Sequence, residues 1–78
     1  MKEYKSEVVE ETGKLIRMER LKKGLSLEEL AKKSEISAAT ISKIEKGERN
    51  FRMTTFFSIA TALGVKMNSL IGGKTRND

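Results

Sequence analysis

The segment 26–46, SLEELAKKSEISAATISKIEK, constrains the fold of this chain more than any other. Ser26 and Glu29 have the spacing of a capping box, which satisfies the first free amides of a helix. Ser37 begins a second helix in the same way, with Thr40 at the place of the acidic partner. Apolar residues recur where two crossing helices bury them: Leu27, Leu30, Ala31, Ile36, Ile41 and Ile44. The segment predicts a helix-turn-helix, whose second helix enters the major groove of DNA, over the alternative of an ordinary pair of helices in a bundle.

The whole chain reads as one all-α domain, residues 1–78, with five helices and an ordered core over about residues 8–71. We expect helices over about 8–23, 27–33, 38–46 and 53–63, and a short fifth helix with Asn68 as its N-cap before Leu70 and Ile71. Residues 1–7 read as a frayed polar start, and residues after Gly73 as a polar tail. The first helix is predicted to turn Val8, Val9, Thr12 and Ile16 inward, with Leu15 as a further candidate.

Composition removes most classes of chemistry. The 78 residues contain no Cys and no His, and the one Asp is Asp78, so disulfide bonds and thiolate or imidazole metal sites are excluded. No nucleophile is paired with a plausible base, so we expect no enzyme activity, no cofactor and no metal. The sequence has no long apolar run and no signal-peptide pattern, and the lack of Cys suits the cytoplasm.

Positive charge is concentrated late in the chain. Residues 1–48 hold eleven Lys or Arg and ten Glu, a net charge of +1, whereas residues 49–78 hold five Lys or Arg and one acid, a net charge of +4. The late basic residues are Arg49, Arg52, Lys66, Lys74 and Arg76. A local basic surface favours phosphate, and beside a helix-turn-helix it favours a nucleic acid.

Residues across the chain carry a family resemblance: Arg20, Gly24-Leu25-Ser26, Glu29-Leu30-Ala31, Ser37, Ile41–Gly47, Arg49-Asn50 and Ile59–Val65. In these the sequence resembles the phage-repressor and Cro-like helix-turn-helix family over about residues 12–71. The resemblance implies a compact five-helix, lambda-repressor-like domain that binds double-stranded DNA as a homodimer on a near-palindromic operator. Because no ligand domain accompanies the fold and the sequence has no long apolar run, we expect no small-molecule ligand and no membrane. Phage-type repressors, restriction–modification controllers and antitoxins of this fold remain open as subtypes.

Three positions depart from the family pattern. Leu27 replaces the usual Gln that binds a phosphate at the start of helix 2. Glu35 stands where the turn usually has Gly, and a positive φ there would strain Glu by about 1 kcal/mol. Phe51 replaces a Pro before helix 4, as a core residue or as part of a partner surface.

The start of the second helix of the motif provides the residues that reach base edges. These are Ser37, Ala38, Ala39, Thr40, Ser42 and Lys43. Lys43 can donate to guanine O6 and N7, and the alanine methyls suit thymine methyls, although the alanines serve equally as helix formers. With few hydrogen-bonding groups at this position, the protein should depend strongly on DNA shape.

A second set is expected to contact phosphates, which position the protein but carry no sequence information. It comprises Ser26, Lys46, Arg49, Asn50 and Arg52, with a solvated basic loop as the alternative.

The resemblance also implies a structural pair, Arg20 with Glu45, although spacing alone would leave both on the surface. Helices 4 and 5 are the expected dimer surface, through Phe51, Phe57, Met67 and Ile71. The alternative for Phe57 and Met67 is that they cover the edge of the core. An antitoxin-like interaction module is the second functional hypothesis, and an architectural DNA-binding protein is disfavoured because the positive charge is modest and local.

Overall fold

A computed structural model describes residues 7–71, and over this range the protein is helical with no β-strand. Four α-helices follow in order: α1 (Glu7–Lys22), α2 (Leu27–Ser34), α3 (Ala38–Glu45) and α4 (Met53–Leu63). A 3-10 helix, Met67–Leu70, comes last. The predicted frayed start at residues 1–6 and the tail after Gly73 lie outside the described residues, whereas Glu7 belongs to α1.

The prediction of five α-helices is wrong in its last member. The 3-10 helix has four residues, its N-cap is Lys66 rather than Asn68, and Ile71 lies beyond its end. Its bonds include Ser69 N–H to the Lys66 carbonyl, with N and O 3.0 Å apart. So short a segment cannot offset the cost of starting an α-helix, and a 3-10 turn is sufficient to bring Leu70 into the core.

The core contains side chains from every helix, and its fully or almost fully buried members are Ile16, Leu30, Ile41, Ile44, Phe56, Ile59, Ala60, Leu63 and Leu70. Thr12 is buried with Ile16, as predicted for α1. Val8, predicted to lie inside, is 45% exposed. It lies in the first turn of α1, where it borders an open groove with Phe51 and Ile71 rather than the packed core.

Helices α1 and α3 approach closely at Gly13. A Cβ atom at this position would overlap the Ile44 carbonyl oxygen and lie 3.1 Å from the Glu45 carbonyl oxygen. Glycine inside a helix costs about 1 kcal/mol relative to alanine, but here it lets the backbone of α3 pack directly on α1.

A buried ion pair lies in the same contact. Arg20 donates from Nε to Glu45 Oε2 at 2.8 Å and from Nη2 to Glu45 Oε1 at 3.0 Å. Its Nη1 donates to the Leu25 carbonyl oxygen at 2.9 Å. The hydrogen bonds to Glu45 raise the pKa of Arg20, so its guanidinium stays charged. One side chain therefore joins α1, the α1–α2 linker and α3.

The turn between α2 and α3 is closed but strained. Glu35 has φ 62° and ψ 29°, the left-handed region, and its N–H donates to the Ala31 carbonyl oxygen at 2.7 Å. Ser34 supports the turn because its hydroxyl donates to the Leu30 carbonyl oxygen at 2.8 Å and accepts from the Ile36 N–H at 3.3 Å. A side chain with a Cβ in this backbone conformation costs about 1–2 kcal/mol.

Glu35→Gly should therefore raise the free energy of unfolding by about 1 kcal/mol, because glycine adopts a positive φ without the Cβ clash. Urea unfolding followed by circular dichroism measures the change. Glu35→Ala is the matched control, since it removes the carboxylate but keeps the Cβ. A glycine variant no more stable than the alanine variant would show that the backbone at this turn is not strained.

Candidate nucleic-acid interface

The outward face of α3 carries the exposed part of the predicted base-reading set. Ile41, Ile44 and Glu45 point into the protein, and Ala39 and Lys43 lie on the opposite side, where they are exposed. With 3.6 residues per turn, these two residues lie one above the other along the helix. Of the remaining predicted readers, Ser37 is exposed, whereas three are half-buried on the flanks of this face: Ala38, Thr40 and Ser42.

The first turn of α3 has its own hydrogen-bond network. Ser37 is the N-cap, and its Oγ accepts from the Thr40 N–H at 3.1 Å. The same hydroxyl donates to Thr40 Oγ1 at 2.8 Å. This network fixes the start of α3, because the cap satisfies a free amide and both side chains are held against the helix end.

Three of the five predicted phosphate-contacting residues lie together. Arg49, Asn50 and Arg52 are exposed in the loop between α3 and α4. They line an open cavity of about 520 Å³, whose remaining walls are Thr40, Phe51 and Thr55. Two guanidinium groups, an amide and two hydroxyls suit an anion such as a phosphate. The prediction missed Thr55 at this site, although its position in the first turn of α4 follows from a helix that begins at Met53.

Ser26 and Lys46 do not line that cavity. Ser26 is the N-cap of α2, where its Oγ accepts from the Glu29 N–H at 3.0 Å and its own N–H donates to Glu29 Oε1 at 2.8 Å. Both groups therefore have partners within the chain, and the Glu29 carboxylate places a negative charge at this helix end. Leu27, at the position where a phosphate-binding Gln is common, is half-buried and packs against the core.

The basic residues of this surface form no salt bridges with other described residues. They are Lys43, Lys46, Arg49 and Arg52, and all four are exposed. At the end of α1, Lys22 and the following Lys23 both bind Glu19, and the hydrogen bond from Lys22 lowers the pKa of Glu19. Five other exposed cations also form no salt bridge over the described residues: Lys14, Arg17, Lys32, Lys33 and Lys66. The group around α3 is therefore distinguished by its position, and its cations are free to meet phosphate groups.

Over the described range, His, Cys, Asp and Glu side chains do not gather into a group of three that could hold a metal ion. In the same range, no helix has both the length and the apolar character needed to cross a membrane.

Three solved structures share this architecture. The restriction-modification controller protein C.AhdI from Aeromonas hydrophila is 32% identical with a TM-score of 0.78, over 81% of this chain and 96% of that chain. The restriction-modification controller protein C.Esp1396I is 30% identical with a TM-score of 0.79, over 94% of this chain and 99% of that chain. The clp gene regulator ClgR from Corynebacterium glutamicum is 28% identical with a TM-score of 0.79, over 86% of this chain and 71% of that chain.

Comparison with curated proteins gives no match. A family profile described as helix-turn-helix matches residues 16–70, which includes α2, α3, α4 and the core residues that hold them together. The chain therefore belongs to the Cro/C1-type helix-turn-helix family, and it is a DNA-binding transcription regulator rather than an enzyme.

Proposed function

We propose that this protein regulates transcription by binding, as a homodimer, to a near-palindromic operator in duplex DNA. The observation that carries the proposal is the exposed face of α3, which is capped at its start by Ser37 and fixed at its end by the Glu45–Arg20 pair. A helix held at both ends presents its outer side chains in a defined position, as recognition in the major groove requires.

Lys43 is the principal base-reading residue of the proposed interface. It is exposed, it has no salt-bridge partner over residues 7–71, and it lies one turn beyond Ala39 on the outer face. A lysine in the major groove donates to guanine O6 and N7, and the alanine methyl suits the methyl of thymine. Because the face offers few hydrogen-bonding groups, the shape and flexibility of the operator supply part of the discrimination.

The loop after α3 positions the protein on the DNA backbone. Arg49 and Arg52 flank the same cavity, so their guanidinium groups can bind one phosphate together. Such contacts raise affinity for every sequence and make binding strongly salt-dependent. Lys46, exposed immediately after the end of α3, adds a further positive charge.

The proposed dimer surface centres on the outer face of α4. This helix, Met53–Leu63, has no charged side chain, although 35% of the chain is charged. Phe57 is 59% exposed on that face, and Met53, four residues earlier, is 68% exposed. The other exposed side chains of α4, Thr54 and Thr61, are polar, so the apolar part of this face is the pair Met53 and Phe57. Two large apolar side chains exposed one turn apart can form the centre of a partner surface.

The other predicted dimer residues contribute less free area. Met67 and Ile71 are half-buried against the core. Phe51 is also half-buried, with its ring tilted onto Phe56 at a centroid distance of 5.6 Å. In a dimer, these partly buried apolar residues would pack against the same residues of a second copy, and the two-fold symmetry would repeat each contact. The two α3 helices of such a dimer would read half-sites about 34 Å apart, one turn of DNA.

An antitoxin-like interaction module would use the same apolar residues, but it has no requirement for unpaired cations around α3. A loss of affinity for DNA when those cations are removed therefore distinguishes a DNA-binding regulator from an antitoxin-like module.

Substitution of Lys43 and Arg49 should have different effects on DNA binding. Lys43→Ala should weaken the free energy of binding to the preferred operator by about 1–3 kcal/mol, because it removes a base-reading side chain. It should also relax the sequence preference at one base pair. Arg49→Ala should weaken all sequences alike and reduce the magnitude of the salt slope by about 1 for each phosphate that Arg49 neutralises. Fluorescence anisotropy on specific and scrambled duplexes at several salt concentrations measures both effects.

Lys14→Ala on the exposed side of α1 is the matched control for charge, and it should leave binding to both duplexes unchanged. Identical behaviour of the Lys43 and Arg49 variants would contradict the division between base reading and phosphate positioning. Unchanged affinity in both would contradict the proposed interface.

A charge on the proposed dimer surface, either on α4 or on the 3-10 helix, should dissociate the dimer. Phe57→Glu and Met67→Glu should give monomers with native helix content, because the substituted side chains lie outside the fully buried core. Sedimentation velocity measures the state of association and circular dichroism the fold. Met18→Glu is the control, since Met18 is 61% exposed on α1 and outside the proposed surface. If both the Phe57 variant and the Met67 variant remain dimeric and folded, the subunits meet elsewhere.

A further inference from the structure

We propose that Thr40 binds a backbone phosphate rather than a base edge, and that Ser37 directs the Thr40 hydroxyl toward it. This inference rests on the proposed DNA-binding function and refines it. The sequence pattern places Thr40 among the base readers because it lies in the first turn of α3. Its surroundings in the folded protein point to a different partner.

Thr40 lies on the side of α3 that borders the loop to α4. It is half-buried, and it is one residue, about 100° around the helix, from the exposed Ala39 at the centre of the outer face. Its side chain lines the cavity of about 520 Å³ formed with Arg49, Asn50 and Arg52. The residues that share this cavity with Thr40 thus include three that the sequence independently predicts to contact phosphate.

The hydrogen bonds around Ser37 determine which proton is free. The Ser37 hydroxyl gives its proton to Thr40 Oγ1 at 2.8 Å and accepts from the Thr40 N–H at 3.1 Å. A hydroxyl has one proton to donate, so Ser37 has none left for the DNA. Thr40 Oγ1 accepts from Ser37 and keeps its own proton, which can be donated into the cavity. A phosphate oxygen strengthens such a chain, because each donor polarises the next.

Two consequences follow for recognition. The hydroxyls of Ser37 and Thr40 no longer donate to base edges, and donation to bases is left to Lys43 and the flanking Ser42, with the methyl groups of Ala38 and Ala39 beside them. The cavity gains a neutral donor beside its two guanidinium groups. A neutral donor adds affinity without releasing a further counterion, so it strengthens binding but does not change the salt slope.

The test compares Thr40→Val, which keeps the shape and removes the hydroxyl, with Thr40→Ser, which keeps the hydroxyl. Thr40→Val should weaken binding about tenfold per half-site on specific and on scrambled duplexes alike, with an unchanged salt slope. Thr40→Ser should restore most of the affinity. Lys14→Ala is the control, because Lys14 is exposed on α1, outside the proposed dimer surface, and does not line the cavity.

A second measurement identifies the phosphate directly. Operator duplexes are prepared with a single neutral methylphosphonate at successive backbone positions. For the wild-type protein, we expect a methylphosphonate at one position in each half-site to weaken binding. For Thr40→Val, the loss of affinity caused by a methylphosphonate at that position should be several-fold smaller. Ser37→Gly keeps an acceptable N-cap residue but removes the hydroxyl that is bonded to Thr40. This variant should also show a smaller loss of affinity from the methylphosphonate at that position. If Ser37 has a purely structural role, the effect of the methylphosphonate should be the same as in the wild-type protein.

The outcomes distinguish this inference from the function on which it rests. If the wild-type protein shows no preference for any duplex, the proposed function itself is wrong. If it binds an operator and Thr40→Val lowers the ratio of specific to scrambled affinity, Thr40 reads a base and the inference is overturned. The inference is also overturned if no methylphosphonate position couples to Thr40.

Discussion

The contact between α1 and α3 is the constraint on which the reading surface depends. Helix α3 has eight residues, too few to be stable alone in water. It is positioned by the close backbone approach at Gly13 and by the bidentate pair of Arg20 with Glu45. A buried ion pair adds little net stability compared with apolar packing, but removal of one partner costs about 3–5 kcal/mol. The pair therefore acts mainly to fix where the outer face of α3 points.

Local features of the fold can be predicted because they are encoded by neighbouring residues. The capping box at Ser26, the N-cap at Ser37 and the burial of Thr12 with Ile16 each depend on spacings of three or four residues, and the structure contains all three. The strain at Glu35 could be predicted only on the condition that the backbone there has a positive φ, which the glycine usual at this turn in the family suggests. Helix bounds agree to within a residue for the same reason, since caps fix where helices begin and end.

Other features depend on what the folded chain brings together. A 3-10 helix replaces the predicted fifth α-helix because four residues are too few to offset the cost of starting an α-helix, and one 3-10 turn already brings Leu70 into the core. Val8 has the spacing of a core residue, but in the folded chain it borders an open groove and is 45% exposed. The placement of Thr40 beside Arg49 and Arg52 requires the loop to fold back along α3, which no local pattern encodes. The sequence therefore indicates which residues form the candidate site, but it does not indicate which of them contact bases and which contact phosphates.

The central claim is that this chain reads a defined sequence through two copies of α3. Selection of binding sites from a random duplex library with the full chain tests it most directly. We predict enrichment of a near-palindrome whose half-site centres lie about 10 base pairs apart, with each half-site containing a guanine that Lys43 contacts. Recovery of unrelated sequences with equal affinity, or of a single half-site with no symmetric partner, would contradict it.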